Sequence, residues 1–104
     1  MHKGEIWWAD LPKPAGRRPV LILTRDEAVR VRDCVTIAEL STNRRHISTE
    51  VILGKEDGLP KACVVNLDVI NTVPKTLLTG YIVSLLDEKQ EAVEKALKFA
   101  LDLS

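Results

Sequence analysis

The stretch GRRPVLIL, residues Gly16 to Leu23, constrains this chain more than any other. Five apolar side chains in a row, Pro19 to Leu23, read as a strand buried on both faces or nearly so. The run is launched by Arg17, Arg18 and Pro19. A guanidinium stays ionised at physiological pH and is rarely buried without a partner. At least one of the two arginines therefore faces water or an anion, and the function of the chain turns on which.

At 104 residues, 45% of them hydrophobic, the chain is expected to form a single domain spanning 1–104. No apolar run approaches the roughly 20 residues a spanning helix needs. The opening MHKGEIWW lacks the apolar core of a secretory signal, so the expected location is cytoplasmic, with no membrane contact. Cys34 and Cys63 lie in β-like runs without CxxC spacing or adjacent histidines, and are expected to be reduced core thiols. No His, Cys, Asp and Glu cluster has metal-ligand spacing, so neither a metal nor another cofactor is expected.

The net charge is zero, which argues against coating nucleic acid by bulk electrostatics. The distribution is uneven. All seven arginines (17, 18, 25, 30, 32, 44 and 45) precede His46, and every later cation is a lysine. From Lys13 to His46, eight Lys/Arg face four Asp/Glu, a net +4 balanced by −4 elsewhere. Arginine's planar fork recognises phosphate bidentately, where lysine is a point charge. A phosphate-binding groove and a solvated, self-paired face are both compatible with this pattern.

The pattern predicts a mainly β chain. Strands are expected over Gly4–Leu11, over RPVLILT and DCVTIAELS, over TEVIL, over ACVVNLD with a shorter VINTV ended by Pro74, and over YIVSL. PKPAG, TNRRHIS and KEDGLPK read as loops or turns, and RDEAVRVR as a segment able to hold a short helical turn. A C-terminal helix begins near Asp87, with Asp87 and Gln90 in a capping arrangement. Val93, Ala96, Leu97, Ala100 and Leu101 form its apolar stripe. Short, mostly antiparallel strands covered by one helix predict an α+β chain with a strongly bent sheet or partly open small barrel.

Taken in order, KGEIWWADL, GRRPVLIL, VTIAELSTN, GLPKACVVNLDVINTV and LDEKQEAVEKALKFALDL resemble the MazF/PemK family of toxin endoribonucleases over essentially the whole chain. The resemblance implies an SH3-like barrel that forms a homodimer, cleaves single-stranded RNA without a metal, and is held inactive by a cognate antitoxin with an acidic disordered segment. It places Arg18 at the cleavage centre, Ser41 where relatives commonly carry a catalytic threonine, and Asp68 at an acidic position some relatives use. Around Asp68 this chain carries Asn66, Val69 and Asn71 where the family often has other polar residues. Lys13, Arg17, Thr42, Asn43, Arg44, Arg45 and His46 make up the implied RNA-binding set. Arg17 is expected on backbone phosphate or water, and Thr42 takes Ser41's role if the register slips by one.

Each residue also has a plainer reading. Arg18 is then a strand-end ion pair, Ser41 a turn former, Asp68 a residue bonding backbone amides, and His46 a solvated loop histidine. With only His2 and His46 in the chain, a two-histidine mechanism has no obvious pair. Trp7 and Trp8 point to opposite faces of their strand, one for the core and one for stacking or a dimer contact. Two further functions remain open on this fold: a toxin that acts by binding a protein, as gyrase poisons do, and a non-catalytic SH3-like nucleic-acid-binding module.

Overall fold

The computed structural model describes residues 1–103. Six strands form one sheet: β1 (Glu5–Asp10), β2 (Arg17–Ile22), β3 (Cys34–Ser41), β4 (Glu50–Leu53), β5 (Cys63–Pro74) and β6 (Leu78–Ser84). The order is β4-β5-β3-β2-β1-β6 with every neighbouring pair antiparallel. β4 and β6 are left as free edges, so the sheet is the partly open, bent half-barrel that the pattern predicts. Helix α1 (Asp26–Val31) connects β2 to β3, and helix α2 (Asp87–Ala100) follows β6.

β2 explains why the sheet needs cover on both sides. Leu21 packs with Ile6, Leu40, Leu53, Val65 and the α2 residues Val93 and Ala96. Val20 and Ile22, pointing the other way, pack with Ala9, Val35, Ile37 and Val29 of α1. All three β2 side chains are no more than 1% exposed. Strand alternation thus sends one continuous apolar run into two cores, each Leu or Ile contributing about 1.5–3 kcal/mol by burial.

Three details depart from the sequence reading. β5 is one twelve-residue strand rather than two, because Asn66–Val69 are accommodated by a register shift opposite the step from Ala38 to Leu40 instead of breaking the pairing. The α2 cap is different as well. Leu86 occupies the N-cap without a side-chain bond, and Gln90 Nε2 donates to the Leu85 carbonyl at 3.1 Å. Finally, Leu101 lies past the last helical residue and is half exposed, so the apolar stripe ends at Ala100.

The turn between β4 and β5 is fixed from within. Gly58 adopts a left-handed φ of +86°, and a Cβ there would meet Val83 Cγ2 at 2.9 Å, so glycine is required on both counts. Asp57, 3% exposed, accepts from Gly54 N at 2.9 Å and from Lys89 Nζ of α2 at 3.3 Å. Lys89 also donates to the Ile52 carbonyl at 2.8 Å, tying helix, edge strand and turn together.

Candidate functional site at the arginine rim

Antiparallel pairing brings the start of β2 and the end of β3 to the same end of the sheet. The β2–β3 register runs Ile22↔Ile37, Leu21↔Ala38, Val20↔Glu39. Arg18 and Ser41 lie two residues beyond the last pair, at the same end of the two strands. Arg18 Nη1 lies 3.1 Å from Glu39 Oε1, diagonally across the strands, and Arg18 Nε donates to the Ala15 carbonyl at 3.2 Å. The anion facing the core-strand arginine is therefore a carboxylate of the same chain. Glu39 was missed from sequence, since its pairing with Arg18 becomes visible only once the β2–β3 register is known.

The second arginine has a different role. Arg17 is exposed to water, as expected, and its guanidinium carbon also sits 4.4 Å from the centroid of the Trp8 ring in a cation–π stack. Trp7, on the opposite face, packs against the core that holds Val20. Its indole N–H donates to Glu5 Oε1 at 2.9 Å and its ring meets Tyr81 edge-on at 6.2 Å. One tryptophan thus serves the core and the other the rim, as the alternation predicts.

Beside Trp8 opens a cleft of about 350 Å³. Trp8, Pro19, Leu40, Leu59, Pro60, Cys63 and Ile82 form its apolar walls, and Arg18, Ser41, Thr42 and Lys61 its polar ones. Such a mixture suits a flat ring with an anionic backbone. Ser41 Oγ accepts the Asn43 amide N–H at 3.0 Å. That contact makes the turn of the plainer reading, yet it leaves the hydroxyl hydrogen free to donate.

Of the expected site residues, Arg18, Ser41 and Thr42 come together on this cleft. Lys13, Arg17, Asn43, Arg44, Arg45, His46 and Asp68 do not line it. Asn43 and Arg44 to His46 follow directly from the rim on the loop after β3. Glu50 braces that loop by accepting the backbone N–H groups of Arg45 at 2.9 Å and His46 at 3.0 Å. The guanidinium groups of Arg44 and Arg45 enter no ion pair among the described residues. Asp68 departs furthest from expectation. The β5 register shift carries it to the loop before β4, where Oδ2 accepts from Thr49 Oγ1 at 2.6 Å. Arg25, Arg30 and Arg32 flank α1 at the other end of β2 and β3, so the seven arginines do not form one groove.

The charge chemistry of the rim follows from these contacts. Cys34 and Cys63 are free and half-buried rather than core residues. On the cleft wall, burial pushes the Cys63 thiol up, helped by the nearby Asp57 carboxylate. The thiolate is the reactive form, so iodoacetamide should label Cys63 more slowly than a free cysteine at pH 8, as read by peptide mapping; equal rates would contradict the burial argument. Among the described residues, no three His, Cys, Asp or Glu side chains are grouped to hold a metal ion. His2 lies 3.6 Å from Asp26, away from the Arg18 contacts. No helix among the described residues is long and apolar enough to cross a membrane.

A bent six-stranded antiparallel sheet with a C-terminal helix defines a small half-barrel architecture. The chain belongs to the PemK-like, MazF-like toxin family of type II toxin–antitoxin systems, whose family model matches residues 2–101. It is 34% identical to the probable endoribonuclease MazF5 of Mycobacterium tuberculosis over 98% of this chain and 94% of that protein. It is 40% identical to the probable endoribonuclease MazF2 of the same species over 82% of each. Among solved structures, the Mycobacterium tuberculosis toxin MazF-mt6 superposes with a TM-score of 0.88 at 35% identity, covering 96% of this chain and 98% of that one. A mycobacterial endoribonuclease in complex with its cognate antitoxin gives 0.90 at 31% identity, covering 100% and 97%.

Proposed function

We infer that this chain is an endoribonuclease toxin that cleaves single-stranded RNA at specific short sequences. It works without a metal, in the cytoplasm and as a homodimer, leaving 2′,3′-cyclic phosphate and 5′-hydroxyl ends, and a cognate antitoxin neutralises it. The observation that carries the reading is that Arg18 and Ser41 line one cleft with Trp8, in a chain whose curated relatives are named endoribonucleases. A guanidinium and a hydroxyl aimed at one phosphate stabilise the charge of a pentacovalent transition state more than that of the ground state. Trp8 offers a face on which a base can stack, and the loop arginines 44 and 45 offer charge to the phosphates on either side. The antitoxin part of the reading is supported by the solved mycobacterial relative bound to its own antitoxin. An acidic, disordered segment fits the unpaired arginines and would compete with RNA for them.

Incubation with a long single-stranded RNA in excess chelator tests the reading. Discrete fragments are expected, their yield falling when the cognate antitoxin is added, together with a sedimentation mass of two chains at micromolar concentration. RNA left intact, or cut only when a divalent ion is restored, would contradict it.

A further inference from the structure

Cleavage by the neighbouring 2′-hydroxyl needs a group that takes the hydroxyl proton, and the rim residues named so far do not supply one. Arg18 is always protonated, Ser41 and Thr42 are neutral hydroxyls, and the Cys63 thiol is pushed away from its basic form. Asp68, the carboxylate expected from sequence, is engaged by Thr49 outside the cleft. Glu39 does not line the cleft either, but unlike Asp68 it is in contact with a residue that does, Arg18. It sits two residues before Ser41 on β3, hence on the same sheet face, and its Oε1 lies 3.1 Å from Arg18 Nη1.

We propose that Glu39 is the general base of the RNA-cleaving centre, acting beside Arg18, to which it is ion-paired, with Ser41 two residues further along β3. The proposal rests on the reading of the chain as an endoribonuclease. Both ends of the ion pair remain open to substrate, the Arg18 and Glu39 side chains being 35% and 23% exposed. Among the described residues, Arg18 is the one charged partner of the Glu39 carboxylate within 4 Å. The facing bulge of β5 sends its own acid, Asp68, to Thr49.

The guanidinium is a five-donor fork, with Nε committed to Ala15 and Nη1 to Glu39, so Nη2 can receive a phosphoryl oxygen. A phosphodiester bound there shares the positive charge and loosens the hold on the carboxylate beside it. Glu39 then takes the proton of the 2′-hydroxyl as the 2′-oxygen bonds to phosphorus. The bond from phosphorus to the 5′-oxygen breaks, its electron pair leaves with that oxygen, and water supplies the proton that completes the 5′-hydroxyl. Glu39 returns its proton to water, so the cycle balances.

Glu39→Gln separates this role from that of a bracket for Arg18, because the amide oxygen still accepts from the guanidinium but cannot take a proton. Expected is a kcat lower by about 10²–10³ with KM changed by less than about threefold, and loss of the parent's fall in kcat/KM toward acid pH. Glu39→Asp, which keeps a carboxylate one methylene shorter, should recover part of the rate and the acid-side fall. Circular dichroism melting and fluorescence anisotropy with an all-2′-deoxy analogue check that fold and binding are intact. A Gln variant within about threefold of the parent rate, or one retaining the acid-side fall, would overturn the proposal, as would an Asp variant no faster than Gln. If the parent cuts RNA and Gln cuts equally well, only the base assignment fails; a parent that leaves RNA intact overturns the endoribonuclease reading with it.

Discussion

Arg18→Ala should lower the rate of RNA cleavage by about 10²–10³, the usual loss on removing one preorganised donor from a transition state. The expectation follows from where the side chain sits. Arg18 lines the cleft together with Ser41, and its guanidinium makes polar contact with the rest of the protein through one carboxylate and one carbonyl. Neither contact belongs to a core, and partly exposed pairs of this kind contribute roughly 0–1 kcal/mol to stability. The variant should therefore melt close to the parent while losing activity, and retain most of its affinity for a non-cleavable oligonucleotide through Arg44, Arg45 and the Trp8 face. Ser41→Ala should cost less, because a neutral hydroxyl contributes a weaker bond than a guanidinium, and Ser41→Thr should cost little. Single-turnover cleavage of a fixed RNA measures all three; an Arg18→Ala variant as fast as the parent would remove the cation from the chemistry.

The second large effect concerns stability. Lys89→Met should destabilise the fold by about 2–4 kcal/mol, somewhat below the usual cost of stripping one partner from a buried ion pair because water reaches the lysine. Asp57 is the reason. Its side chain is wholly buried, one oxygen lacks a hydrogen-bond partner, and the other is shared between Gly54 N and Lys89 Nζ. Methionine fills the space of the lysine stem but leaves that carboxylate without a cation. The same lysine bonds the Ile52 carbonyl, so the β4 edge and the turn leading to Leu59 and Pro60 on the cleft wall loosen together. Adding Asp57→Asn to the methionine variant removes the stranded charge and should restore part of the loss. Chemical denaturation midpoints read the result, and a loss under about 0.5 kcal/mol would show that the pair is dispensable.

These two residues mark where the sequence could be read and where it could not. The apolar run of β2 and the 3.6-residue period of α2 depend on local order alone, so strand, helix and the two-sided core were legible from the chain. The quoted blocks carried the family in the same way. Glu39 and the Lys89–Asp57 anchor depend on register and on contacts between residues far apart in sequence, and neither leaves a local mark. Asp68 shows how pairing far along the chain places a side chain. Its motif position suggested the site, but three residues of offset in the β3–β5 pairing, between Ala38↔Ile70 and Leu40↔Val65, turn it toward Thr49. Arginine clustering in the sequence was deceptive, since a hairpin-like return places residues 17, 18, 44 and 45 at one end of the sheet and residues 25, 30 and 32 at the other.

The central claim is that Arg18, Ser41 and the rim around them direct the RNA's own 2′-hydroxyl against the adjacent phosphate. The most direct measurement pairs two versions of one short substrate, all-ribose and with a single 2′-deoxyribose just 5′ of the scissile bond, both in chelator, with product ends determined by mass spectrometry. The account predicts that the ribose substrate yields a 2′,3′-cyclic phosphate and a 5′-hydroxyl while the deoxy substrate stays whole. Cleavage of the deoxy substrate, or products ending in a 5′-phosphate, would contradict it.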